Sequence, residues 1–225
     1  MAGMALSPPE APYPAWLRRL FFLLLVRPVL ALILGVNVRH PQHLPRQGPA
    51  LVVANHNSHL DVFVLMSLFP GSLMPRLRPV AAADYFLSHG LLSWFARRVL
   101  AIIPIERDSR PGRRDPLAPV EAALDAGRIV ILFPEGTRGE PETMGPLKHG
   151  VAHLLQRRPG LSCTPVVLRG LGKALPRGEA LLVPFCCDVA VGEPLPWDGD
   201  RRRFMAALQE RMAALLAELP SSGWE

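Results

Sequence analysis

The sequence predicts an α/β fold: a single domain with a largely parallel central sheet flanked by helices, preceded by an N-terminal membrane-associated helical segment. Three observations predict it. Short β-branched runs alternate with amphipathic ones and are punctuated by Gly and Pro. Hydrophobic residues make up 49% of the 225, enough to bury one core without disulfides or metals. One apolar run near the amino terminus, residues 20–36, stands apart from the rest.

Residues 1–14 are Pro-rich and expected to be a disordered tail. Residues 15–40 form the expected membrane segment. Its apolar run, LFFLLLVRPVLALILGV, would be about 26 Å long as a helix, almost a bilayer's thickness. Arg27 and Pro28 sit at its centre, where a charge costs about 2.5 to 3.5 kcal/mol and the proline removes a backbone bond. A helix bent at Pro28 and lying in one leaflet fits better than a span. Arg18, Arg19 and Arg39 would then sit at headgroup level, with Trp16 as an interfacial anchor. The structural alternative is a buried core helix. A cleaved signal peptide is disfavoured, because the apolar run before Arg27 is short and no small-x-small site follows suitably.

Residues 41–225 supply the α/β domain. Strands are expected at Ala50–Ala54, Pro79–Ala83, Val99–Ile105, Arg128–Phe133, Pro165–Leu168 and Cys187–Val191. Helices are expected at Asp61–Phe69, Phe86–Arg97, Leu117–Ala126 with Gly127 as its stop, Lys148–Arg157 and Arg201–Leu219. There is no internal repeat and no long linker.

A formal charge of +6 and a pI near 10.0 suit nucleic acid, an anionic membrane surface or a phosphate-bearing substrate equally. Two Tyr and no aromatic-rich RNA-binding run argue against nucleic acid. Lys148 and Lys173 are the only lysines, which looks like genomic base composition. Cys163, Cys186 and Cys187 are odd in number and two are adjacent, so all read as reduced core residues of a cytosol-facing protein.

In open α/β sheets chemistry gathers past the carboxyl ends of strands, and the polar clusters fall there. The first is Asn55-His56-Asn57-Ser58-His59-Leu60-Asp61. A loop that folds back would set the Asp61 carboxylate on one nitrogen of His56, leaving the other to accept a proton. Ser58 and Asp61 also fit a capping box opening the next helix, which leaves His56 without a task. A metal site at His56 and His59 lacks a convincing third ligand, so none is expected. The second cluster, Ile105-Glu106-Arg107-Asp108, offers Arg107 for a phosphate or for a surface ion pair. The third, Phe133-Pro134-Glu135-Gly136-Thr137-Arg138, puts a carboxylate, a flexible residue and a cation in one turn, and an ordinary solvated turn would also explain it. Lys148 before a helix start could complete a phosphate site, and Thr164-Pro165-Val166-Val167-Leu168-Arg169 is a strand ending in a cation.

In this order, NHNSHLD, IPIERD, FPEGTRG and TPVVLRG resemble the four motif blocks of the glycerolipid acyltransferases, closest to the 1-acylglycerol-3-phosphate acyltransferases. The resemblance spans Asn55 to Gly170. It implies that His56 and Asp61 are the catalytic His-x4-Asp pair, that Arg107 is the second-block arginine, that Glu135, Gly136 and Arg138 form the acceptor-binding turn, and that Pro165 is the fourth-block proline; Thr137 within that turn, and Lys148 from its place before a helix start, are expected to join them in substrate binding. It also implies an α/β fold with a membrane-embedded N-terminal helical segment, and makes residues 41–225 the catalytic domain. One departure is visible: Arg138 is followed by Gly139-Glu140, where many members carry serine and small or basic residues, which bears on acceptor specificity.

The implied reaction moves an acyl group from acyl-CoA or acyl-carrier protein, as co-substrate and with no cofactor, to the sn-2 hydroxyl of 1-acylglycerol-3-phosphate. The product is phosphatidic acid, made at the cytoplasmic face of the inner membrane by a monotopic enzyme whose partners are membrane lipids and a lysophospholipid acceptor. The nucleophile belongs to the substrate, and the sequence has no Gly-x-Ser-x-Gly elbow. Alternatives are a transacylase or an acyltransferase for another lyso-lipid such as lyso-ornithine lipid, and a catalytically silent lipid-binding protein.

Overall fold

The computed structural model describes residues 14–83, 90–106, 115–136, 143–174 and 185–220. The chain starts with helix α1 (Ala15–Phe21), a π-helical turn at Phe22–Val26 and helix α2 (Arg27–Ile33). Strand β1 (Leu34–Arg39) leads into β2 (Ala50–Ala54), α3 (Leu60–Ser67), β3 (Leu77–Ala82), α4 (Gly90–Arg98) and β4 (Ile103–Ile105). Then come α5 (Ala118–Asp125), β5 (Ile129–Leu132), α6 (Gly150–Arg157), β6 (Cys163–Arg169), the short α7 (Leu171–Ala174), β7 (Phe185–Val191) and α8 (Arg201–Glu218).

The strands form one sheet in the order β1-β7-β6-β2-β5-β3-β4. Every neighbouring pair is parallel except β6 and β7, which run antiparallel. The expectation of a largely parallel sheet is met, whereas that of three core cysteines is corrected: Cys163 and Cys187 are buried, but Cys186, next to Cys187 on β7 and so on the opposite face, is exposed. Side chains alternate between two cores: Val52, Ile129, Ile131 and Val166 face one, and Leu51, Val53, Val130 and Val167 face the other. A sheet covered on both faces needs apolar residues at every position, which is why Ile-Val-Ile-Leu reads as an unbroken run. The first core is closed by α2, α3 and α4, the second by α5, α6 and α8.

Local signals place the ends of these elements. Helix α5 stops at Gly127, whose φ is +65°; the amides of Gly127 and Arg128 return to the Leu124 and Ala123 carbonyls at 2.9 and 3.1 Å, a Schellman closure. Helix α8 opens on Asp200, whose carboxylate accepts the Arg203 amide at 2.8 Å.

The amino-terminal segment departs from expectation in three ways. Residues 34–39, expected within the helical segment, form edge strand β1, paired in parallel with β7 from Leu34 opposite Phe185 to Arg39 opposite Ala190. Arg18, expected at headgroup level, is 1% exposed and donates to the Leu100 carbonyl at 3.1 Å. Arg27 turns inward and donates to the Ser67 and Phe69 carbonyls at 3.3 and 2.8 Å, capping the negative end of α3. The π turn absorbs Pro28: the Arg27 amide bonds back five residues to Phe22, so the shifted register tolerates a missing donor next to it. Phe22, Val26 and Leu30 join the first core while Trp16, Leu20, Leu23, Leu24, Leu25 and Leu32 are exposed. Among the described residues no helix is long and apolar enough to cross a membrane.

The expected strand at Val99–Ile105 shortens to Ile103–Ile105. Residues 99–102 instead close α4, with the Val99 amide on the Phe95 carbonyl and the Ile102 amide on the Ala96 carbonyl.

Candidate active site

Strands β2 and β5 are neighbours and parallel, so the loops that follow them, 55–59 and 133–136, meet at one edge of the sheet. His56 lies in the first loop, its ring stacked on Phe133 with centroids 4.3 Å apart. Asp61 lies in the first turn of α3 and is fully buried. Its Oδ2 accepts three donors: His56 Nδ1 at 2.8 Å, the Asn57 amide at 2.7 Å and the Ser58 amide at 2.9 Å. The carboxylate therefore folds the loop around itself and holds the His56 proton on Nδ1. Nε2 is left with its lone pair for a substrate proton.

The capping reading of Ser58 and Asp61 holds by half. The Asp61 carboxylate reaches back to the Ser58 amide, but Ser58 Oγ accepts the Leu60 amide at 3.3 Å while the Asp61 amide bonds the Ser58 carbonyl at 3.1 Å. One carboxylate serves both cap and imidazole.

Two asparagines anchor the loop from outside. Asn55 mimics a strand residue, its Nδ2 donating to the Leu168 carbonyl at 2.9 Å and its Oδ1 accepting the Leu168 amide at 2.8 Å. Asn57 Nδ2 donates to the same carbonyl at 3.0 Å. Sequence reasoning assigned neither a role; the signal was a polar residue on each side of His56 where the buried strand β2 ends.

Glu135 does not face the cleft. Its Oε1 accepts the His56 amide at 2.8 Å and its Oε2 accepts the Gly145 amide at 2.9 Å, with the residue 6% exposed. Both oxygens are engaged by backbone, so the side chain ties three loops together, where the motif resemblance implied a place in the acceptor-binding turn. Gly136 has φ +72°, and a Cβ there would lie 2.6 Å from Lys148 Nζ, so the missing side chain is what lets that ammonium lie across the turn. The Lys148 amide donates to the Pro134 carbonyl at 2.8 Å, fixing the base of the same side chain.

His56, Gly136 and Lys148 line a cleft of about 800 Å³. One end is apolar, walled by Phe63, Val80, Phe95, Ala96, Leu100 and Ile102 from α3, β3 and the α4 region. The other carries Glu106, Asp115, His153 and Arg157. Asp115 is ion-paired to Arg157; the Leu117 amide and that guanidinium hold its carboxyl below the usual range. Burial, then the charges of Arg201 and Arg157, push His153 below the ordinary imidazole value. An imidazole, and a cation with no carboxylate partner among the described residues, beside an apolar slot suit a substrate with a hydroxyl, a phosphate and a hydrocarbon chain.

The family model described as Acyltransferase matches residues 35–169. The chain belongs to the Acyltransferase family. The human 1-acyl-sn-glycerol-3-phosphate acyltransferase alpha is 29% identical over 195 residues, covering 84% of this chain and 66% of that protein. The chloroplastic 1-acyl-sn-glycerol-3-phosphate acyltransferase LPAT1 of Arabidopsis thaliana is 29% identical over 145 residues, covering 64% of this chain and 38% of it. The chain thus spans between 38% and 66% of the length of these two relatives. The crystal structure of the 1-acyl-sn-glycerophosphate (LPA) acyltransferase PlsC from Thermotoga maritima shares the fold, with a TM-score of 0.73, 20% identity, and coverage of 94% of this chain and 81% of that one.

Of the candidate site residues, His56, Gly136 and Lys148 line the cleft, and Asp61 is buried behind His56. Arg107, Thr137 and Arg138 lie outside the described residues. Pro165 is buried inside β6, opposite Val53 of β2, with its carbonyl accepting the Gly192 amide at 2.8 Å. It is not among the residues that line the cleft.

Proposed function

We propose that this acyltransferase moves an acyl group from a thioester donor, acyl-CoA or acyl-carrier protein, to the sn-2 hydroxyl of 1-acylglycerol-3-phosphate. The observation that carries the reading is the His56 Nδ1 to Asp61 Oδ2 bond of 2.8 Å beside an apolar cleft. Two relatives named as 1-acyl-sn-glycerol-3-phosphate acyltransferases support the acceptor.

In this mechanism the acceptor oxygen attacks the thioester carbonyl while His56 Nε2 takes its proton and Asp61 stabilises the imidazolium. The C–O bond forms, the C–S bond breaks, and the departing thiolate recovers the proton from His56. No acyl-enzyme is required. A base placed this way contributes roughly 10² to 10⁴-fold, with the remainder from holding two lipids together. Lys148 would neutralise the acceptor phosphate, with Arg107 and Arg138 assigned to the same task by their motifs.

The exposed apolar face of α1 and α2, with Trp16 at one end, fits a monotopic seat in one leaflet, which would let both lipids enter the cleft without crossing water. The test is a reaction of wild type and His56→Ala with acyl-CoA and a panel of lyso-acceptors, following thiol release and lipid product. Product confined to lysophosphatidic acid and lost in the variant supports the reading. Product from another lyso-lipid corrects the acceptor and keeps the mechanism. Undiminished product in His56→Ala overturns the mechanism.

A further inference from the structure

The amino-terminal third is unusually one-sided in charge. Between Glu10 and Asp84 the sole acidic residue is Asp61, which is committed to His56, while seven arginines occupy the same stretch. Two of them meet a third from later in the chain at the edge of the sheet away from the active site. Arg78 is the second residue of β3 and Arg128 directly precedes β5, so both sit at the amino ends of strands whose carboxyl ends face the cleft.

Their guanidinium groups share an acceptor. Arg78 Nη1 donates to the Pro75 carbonyl at 2.9 Å and Arg128 Nη1 donates to it at 3.3 Å. Helix α1 packs against this 3₁₀ turn, Met74–Arg76, and brings in Arg18. Arg18 is 1% exposed, and its Nε is buried without any partner. Among the described residues none of the three meets a carboxylate. Burial and the neighbouring guanidinium charges push Arg18 and Arg78 down to about 10. Backbone carbonyls satisfy single donors but carry no net charge, so the repulsion among three cations stands uncompensated.

We propose that Arg18, Arg78 and Arg128 form a phosphate-binding site at the edge of the sheet opposite the active site, and that its ligand is the headgroup phosphate of an anionic lipid. A phosphate supplies what the cluster lacks: a compact anion with several acceptor oxygens, matched to the forked donors of arginine. Arg78 and Arg128 are half-buried and reach the surface, while Arg18 adds its charge from beneath. The lipid source follows from the neighbour: α1, which carries Arg18, exposes Trp16, Leu17 and Leu20. An apolar face beside a cationic pocket fits a bilayer surface, with hydrocarbon on one side and phosphate on the other.

The test reads binding and not turnover, so it stands apart from the acyl-transfer reading. Wild type, R128Q, R78Q/R128Q and the charge-matched control R202Q/R211Q on the exposed side of α8 are co-sedimented with phosphatidylcholine vesicles with and without phosphatidylglycerol. Thermal melting shows which variants are folded, and R128Q removes only one long hydrogen bond should the double variant fail. The expected result is a loss of binding to the anionic vesicles of about fivefold in R128Q and more in the double variant, with neutral vesicles unaffected and the control closer to wild type. Equal losses in the control, or variants that keep both the vesicle binding and the response to inorganic phosphate of wild type, overturn the site. In a second arm, inorganic phosphate raises the melting temperature of wild type. Loss of that rise in R78Q/R128Q, with vesicle binding intact, keeps the site and overturns the lipid as its ligand.

Discussion

The backbone amide of His56 donates to Glu135 Oε1 at 2.8 Å, so His56 is held from two sides: its ring by Asp61 and its main chain by Glu135. The second oxygen of Glu135 takes the Gly145 amide, and a Cβ on Gly145 would approach it to 3.1 Å. Glu135→Ala leaves two part-buried amides without acceptors, a cost of up to about 1–3 kcal/mol each. Turnover is expected to fall at least tenfold with the acceptor KM changed little, alongside a lower melting temperature. A raised KM with unchanged kcat in steady-state assays would instead make Glu135 an acceptor ligand.

Asp61→Asn keeps the shape of the side chain but offers an amide where three donors converge. Either the His56 ring or the two loop amides lose their acceptor. The expected outcome is a kcat lower by roughly 10² to 10⁴-fold, since the imidazole is no longer held in the tautomer that exposes Nε2. NMR of the ring nitrogens, run beside the rate measurement, checks the cause: a tautomer mixture in the variant against a single tautomer in wild type.

Gly136→Ala meets two penalties, a left-handed φ of +72° and a collision with Lys148 Nζ. The backbone strain costs about 1–2 kcal/mol. Displacing the ammonium should raise the acceptor KM, and Lys148→Met should reproduce the KM effect while leaving stability nearly intact. Equal KM values in wild type and Lys148→Met would remove Lys148 from the phosphate site.

His153 carries a pH signature. Burial, then the charges of Arg201 and Arg157, hold it below the free imidazole value of 6.5, so the folded protein refuses a proton that the unfolded chain accepts. Stability from this residue is therefore present above 6.5 and falls as the pH drops through that value. The ring should titrate below 6.5 by NMR, and Arg201→Ala should move its midpoint upward.

Much of the fold was legible in the sequence because burial on both faces of a sheet leaves a local mark. Ala50–Ala54 was read to the residue, and Ile129–Leu132 lies one residue inside its expected bounds at each end. The β-branched run at Val99 was misleading for the same reason that it was tempting: Val99 and Ile102 spend their amides closing α4, a choice made by the helix before them. At the site, the spacing of His56 and Asp61 was legible because a short loop can close on itself. The engagement of Glu135 was not, because its partners lie 79 residues upstream and 10 downstream.

By itself the sequence determined the alternation of strands and helices, the largely parallel sheet and the pairing of His56 with Asp61. Each depends on contacts within a few residues or on a periodicity of side chains. Tertiary structure alone decided that residues 34–39 join the sheet, and that Arg18 and Arg27 turn inward to carbonyls 82 and 40–42 residues away. It also decided that Glu135 holds backbone instead of facing the cleft. A charge in an apolar run carries no local record of where its acceptor is, and a carboxylate in a turn none of which amides will fold onto it. Those partners exist only once the distant strands have assembled.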